Sequence, residues 1–175
     1  MRQLTVICIW AAVFIGDGII LPALTGWPSG LGIMVLLAAL AITFGIHRWV
    51  IGLGIVLAGM TELMVGAYFG AIIGAWLVMV WGWHFLNRFL NMKPVSENDS
   101  LVALVPFTLL GLIIFGLGEG ALWVISRLAY EPRLTVTTFV NILGSPTIFT
   151  VVTIELAVII FILHLIYSPR NSIYG

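Results

Sequence analysis

The sequence predicts an all-α integral membrane protein: a six-transmembrane-helix bundle with short loops and both termini in the cytoplasm. Composition carries the first half of that statement. Of 175 residues, 62% are hydrophobic and 8% are charged, and the mean hydropathy is +1.21. Seven basic and seven acidic residues cannot clothe a water-soluble surface of this size, so lipid must take the place of water. Spacing carries the second half, because the apolar stretches recur at about the 20 residues that cross roughly 30 Å of hydrocarbon at 1.5 Å per residue. The zero net charge argues against a nucleic-acid partner, and the single cysteine, Cys8, excludes an internal disulfide.

Residues 1–175 read as one membrane domain. The first span covers about 4–24; Arg2 precedes it and no small-x-small cleavage site follows, so it is expected to be an uncleaved helix. "TGWPSG" (25–30) is a turn by its Gly, Pro and Ser content. The second span, about 31–46, stops at His47-Arg48. Trp49 to Phe89 is 41 residues, about twice what one crossing needs. It must fold back once, and the hinge falls at Gly66 to Gly70, giving spans of about 49–65 and 69–89. "NMKPVSENDS" (91–100) is a polar linker ahead of the fifth span, about 101–126. Val136 to Tyr167 is again too long for one crossing, and "GSP" (144–146) divides it into a short interfacial segment and the sixth span, about 147–167.

Lys and Arg distribution orients the bundle. With the N-terminus inside, the inner segments hold Arg2, Arg48, Arg88, Lys93 and Arg170, and the outer ones only Arg127 and Arg133. Trp81, Trp83 and His84 then fall at the inner end of the fourth span, and Trp27 and Tyr130 at the outer side, as interfacial aromatic belts.

The glycines divide into two jobs. Gly66 and Gly70 permit the helix reversal, whereas Gly74 and the pair Gly116 and Gly120 form small-residue faces that another helix can approach closely. Such a face serves a partner protein or the chain's own spans, and the sequence leaves both open.

Four carboxylates lie within predicted spans: Asp17, Glu62, Glu119 and Glu155. Ionisable groups in hydrocarbon are costly and face a cavity, a partner or the bundle interior. Counted from the inner ends of their spans, Asp17, Glu62 and Glu119 fall roughly 20–27 Å outward, and Glu155 nearer the middle. They read either as an outward-facing polar pocket for a cation, proton or polar solute, or as separate neutral or hydrogen-bonded carboxyls. Arg127, two turns beyond Glu119 on a similar face, is placed to pair through a water or with another helix. Glu62, just ahead of the reversal, is placed to accept hydrogen bonds from backbone donors freed at the turn. His47, His84 and His164 show no metal-ligand spacing and are placed near the inner interface, and no HExxH, GxSxG or phosphate loop occurs. Neither catalytic residues nor a metal or cofactor site are therefore expected.

The stretch Val35 to Leu86 resembles the central part of MreD, the rod shape-determining membrane protein family, in carrying Arg48, Gly52, Gly54, Glu62, Gly66 and Gly70 in that order. Glu62 stands where the family more often carries aspartate, and the rest of the chain agrees in length and hydropathy. The resemblance implies a non-enzymatic scaffold of the bacterial cell-elongation (peptidoglycan synthesis) machinery in the cytoplasmic inner membrane. Its implied partners are an MreC-like protein, the peptidoglycan synthase pair and the MreB filament. The family is similar in architecture to the substrate-binding S-components of energy-coupling-factor vitamin transporters, which gives the alternative of a solute-binding subunit. A small cation- or proton-coupled transporter rests on the same carboxylates, without an internal repeat to support it.

Overall fold

The computed structural model describes residues 2–16, 31–65, 70–91, 95, 104–128 and 144–167. These form six helices and, among the described residues, no strands: α1 (Arg2–Ile15), α2 (Leu31–Phe44), α3 (Arg48–Val65), α4 (Ala71–Leu90), α5 (Leu104–Leu128) and α6 (Pro146–Tyr167). Each overlaps one of the expected apolar stretches, α1 covering only the first part of 4–24.

The helix ends follow local chemistry. Gly45 terminates α2 at φ 63°, in the left-handed region that a Cβ disfavours, and its N–H donates to the Ala41 carbonyl at 3.0 Å. After two further residues the chain re-enters helix as α3, with the His47 carbonyl accepting from Val50 and Ile51 at 2.9 and 3.1 Å. Asn91 (φ 47°) closes α4, its N–H donating to the Asn87 carbonyl. At α6, Pro146 occupies the first helical position, where its missing N–H costs nothing. The Ser145 hydroxyl accepts from the Ile148 N–H at 3.5 Å, as an N-cap serine does.

The centre of the bundle is α2, which packs against all five other helices. Described residues 32–44 are buried without exception. "GIMVLLAALAITF" carries no charge and no polar residue but Thr43, and a helix that is apolar all round is one without a solvent face. Around it the helices follow in the order α1, α3, α4, α5, α6, with α4 against α5 the most extensive pairing. Outside this core, large apolar side chains stay exposed on every surrounding helix: Leu4 on α1, Leu63 on α3, Trp81 on α4, Leu109 on α5 and Ile154 on α6.

Among the described residues, two helices are long and apolar enough to cross a membrane by length and composition: α5, with mean hydropathy 1.9, and α6, with 2.5. The apolar segments of α1 and α2 are shorter, Leu4–Ile15 and Gly32–Phe44. The remainder of the expected first span, including Asp17, and the turn at 25–30 lie outside the described residues, as do Gly66, Trp27 and Tyr130.

Candidate functional site

The most completely built polar feature is the reversal between α3 and α4. Helix α4 begins with N–H groups that have no partner inside the helix, and no side chain of the preceding residue caps it, because that residue is Gly70. Gly70 sits at φ 97°, ψ −8°, a left-handed conformation that bends the chain back toward α3. Glu62, three residues before the end of α3, supplies the missing acceptor. Its Oε2 accepts from the Gly70 N–H at 2.8 Å. Its Oε1 accepts from the N–H groups of Ile72 and Ile73, the latter at 3.0 Å. The carboxylate is 1% exposed, so these bonds form away from competing solvent, and a negative charge at a helix N-terminus is favoured by the helix dipole as well. The turn geometry that the glycine permits is thus held by the acid.

Lower down, the same two helices are locked by an indole. Trp76, fully buried, donates from Nε1 to the Ile51 carbonyl at 3.2 Å, and its ring lies where a side chain on Gly54 would project. Only a glycine at position 54 leaves room for it. A third tie joins α1 to α3, where Trp10 Nε1 donates to the Thr61 hydroxyl at 3.3 Å and that hydroxyl donates to the Leu57 carbonyl at 2.8 Å.

The small-residue faces separate cleanly. Gly74 is an internal contact, since a Cβ there would stand 2.6 Å from Ile125 Cδ1 on α5. Gly111 packs against Leu156 and Ile42, and Gly118 against Met79, so α5 meets α2, α4 and α6 through glycine. Gly116 and Gly120 differ: a Cβ at either meets no described atom within 4 Å. They line an open apolar groove of about 600 Å³ together with Val78, Leu117, Val124 and Ile125.

The three described carboxylates, Glu62, Glu119 and Glu155, stand at different levels of the bundle. Contacts of Gly74 with Ile125, of Met79 with Gly118 and of Gly82 with Leu117 run α4 and α5 antiparallel and place Glu119 beside Met79. From Ile73 to Met79 is six residues, so Glu119 lies ~9 Å along the bundle from the Glu62 cap. The expected common depth fails because Glu62 reaches past its own helix to the first turn of α4, whereas Glu119 sits well inside α5. Glu119 is buried and Arg127 exposed. Eight residues of helix separate them by ~12 Å, too far for a direct ion pair. Glu155, half-buried on α6, is next to Leu156, which packs on Gly111; that level is a further eight residues, ~12 Å, along α5 from Glu119. Asp17 lies outside the described residues.

Two expectations about aromatic and imidazole groups are corrected. Trp81 is exposed but Trp83 is buried at 1%, because residues two apart on a helix project about 200° from each other. His47 and His84 are exposed, while His164 is buried in the core face of α6. Among the described residues no three His, Cys, Asp or Glu side chains gather into a metal-binding group.

Comparison with protein-family models, with curated proteins and with solved structures finds no match.

The Trp76 seat on Gly54, the Trp10 to Thr61 bond and the glycines Gly82, Gly111 and Gly118 went unanticipated. The Gly54 and Trp76 pairing had a signal in the sequence, a glycine and a large aromatic on the two arms of one hairpin, but spacing alone does not set their register.

Proposed function

We propose that this chain is a multi-pass subunit of the bacterial cytoplasmic membrane whose work is assembly: a non-enzymatic scaffold of the cell-elongation machinery, as the resemblance of Val35 to Leu86 to the MreD family implies. All six helices cross the bilayer in this reading, with both termini inside. The apolar side chains left exposed on every outer helix support it, since contiguous apolar surface of that kind marks contact with lipid or protein. So does the orientation of the basic residues.

The observation that carries assembly over solute binding is the apolar groove on the outer face of α5. A binding subunit needs a concave interior with convergent polar groups, and among the described residues the centre of the bundle is occupied by the apolar helix α2. The Gly116 and Gly120 face is instead turned outward as an apolar groove, and small residues on an apolar helix let a second helix approach closely. We place a transmembrane helix of a partner there, an MreC-like protein or a peptidoglycan synthase in the elongation reading. Glu62 has its structural role in the hairpin and is not part of a transport site.

The alternative of an S-component-like vitamin-binding subunit or a cation-coupled transporter rests on the carboxylates Asp17, Glu62 and Glu119, of which Glu62 caps α4 and Asp17 lies outside the described residues. Capture of the tagged protein after mild detergent extraction discriminates the classes. Cell-wall synthesis proteins in the eluate are the expected result; an ATPase pair with a coupling subunit favours the transporter.

A further inference from the structure

Helix α4 carries on its outer face a structure that neither the hairpin nor the groove uses. Trp81, Phe85 and Phe89 follow one another at four-residue intervals, with ring centroids 5.9 Å apart between Trp81 and Phe85 and 4.7 Å between Phe85 and Phe89. All three are exposed, by 67%, 50% and 70%. Arg88 and His84, also exposed, stand on the same side of the helix, Arg88 three residues from Phe85 and seven from Trp81. Among the described acids, Glu62 is at the opposite end of α4, Glu119 is buried in α5 and Glu155 is on α6, which packs on α2 and α5.

We propose that this face seats one anionic glycerophospholipid of the inner leaflet, its acyl chain along the aromatic ladder and its phosphate on Arg88. The proposal rests on the membrane reading above. Three arguments select this occupant. An interfacial belt occupies one level, whereas this ladder extends eight residues, ~12 Å, parallel to the helix axis; an acyl chain in a bilayer runs in that direction and headgroup-level anchoring does not. The cation lies at the polar end of the ladder, as a headgroup requires. A partner helix is disfavoured, because close helix packing in lipid uses small residues, and these are the largest side chains available. The C-terminus of α4 carries the negative end of the helix dipole and opposes an anion. Arg88 must therefore supply the attraction itself, which makes it the decisive position.

The test is lipid retention by the full-length protein, extracted in mild detergent and offered phosphatidylglycerol against phosphatidylcholine of the same acyl chains, with bound lipid read by native mass spectrometry. The wild type is expected to retain phosphatidylglycerol with about fivefold preference, the attraction of one basic side chain to an anionic lipid surface. Arg88→Gln is expected to lose the preference while still binding either lipid, and Phe85→Ala with Phe89→Ala to lose both. Arg48→Gln removes an exposed cation from the start of α3 and is expected to keep the preference. Glycerol phosphate, the headgroup without chains, is expected not to compete. Equal retention of the two lipids by the wild type overturns the proposal, as does a full preference in Arg88→Gln, an equal loss in Arg48→Gln, or a protein held on the ladder in place of lipid. If the double alanine variant does not fold, the Arg88 and Arg48 pair decides alone. Recovery of the chain without detergent in the aqueous fraction would instead defeat the membrane reading, and is distinguishable from an integral protein that does not discriminate lipids.

Discussion

Replacing Glu62 with glutamine removes the charge at the α3–α4 reversal and keeps the volume. The two carboxylate oxygens accept three backbone N–H groups between them, from Gly70, Ile72 and Ile73. A glutamine offers one oxygen and one NH₂, so whichever way the amide turns, at least one N–H at the start of α4 faces another donor. A buried donor left without an acceptor costs about 1–3 kcal/mol. The lost charge at a partly enclosed helix N-terminus adds about 0.3–2 kcal/mol. Together these give roughly 1–5 kcal/mol for Glu62→Gln, and more for Glu62→Leu, which orphans all three donors. At about 2–4 °C per kcal/mol for a chain of this length, the glutamine variant melts roughly 2–20 °C lower. Thermal unfolding in detergent measures the global effect, and amide hydrogen exchange at Ile72 and Ile73 reads the bonds themselves. A variant within 1 °C of wild type, with both amides as protected as before, would refute the capping role.

Four other outcomes follow from the packing. Gly54→Ala drives a methyl into the Trp76 indole and is expected to cost about 1–3 kcal/mol; Trp76→Leu in the same chain should return part of it, read in the same melt. Gly74→Leu should separate α4 from α5, and Ile125→Ala should partly rescue it, since Ile125 is the atom group in the way. Glu119→Gln should be tolerated better than Glu62→Gln, because among the described residues no hydrogen bond to the Glu119 carboxylate is broken, and comparative thermal stability decides this. For topology, cysteines placed at Ser29, Asn98 and Ser172 in a Cys8→Ala background should label from outside only at position 29; the background change is needed because Cys8 is exposed.

How much of this was legible differs from element to element. The α3–α4 reversal follows from arithmetic, because 41 residues exceed one crossing and glycine is the only turn-former in the middle. Glu62 was legible for the same reason: an acid next to a turn in an apolar stretch has backbone donors as its nearest partners. The central place of α2 was not. In a chain where nearly every stretch is apolar, the alternation of polar and apolar residues that tells a buried face from a solvated one is missing. Burial of Trp83 beside exposed Trp81, and the inward Gly74 against the outward Gly116, depend on how helices rotate about their axes. That rotation is set by contacts such as Met79 on Gly118 and Trp76 on Gly54, between residues far apart in sequence.

The assembly reading meets its most direct test at Gly116 and Gly120. Because a Cβ at either position meets no described atom within 4 Å, Gly116→Leu with Gly120→Leu extends side chains into open space and fills the groove. The measurement is quantitative capture of co-purifying membrane proteins by the double variant and the wild type, with thermal stability recorded on the same samples. The predicted result is loss of a wild-type partner at unchanged stability. Full retention of every partner by a stably folded variant would contradict the account.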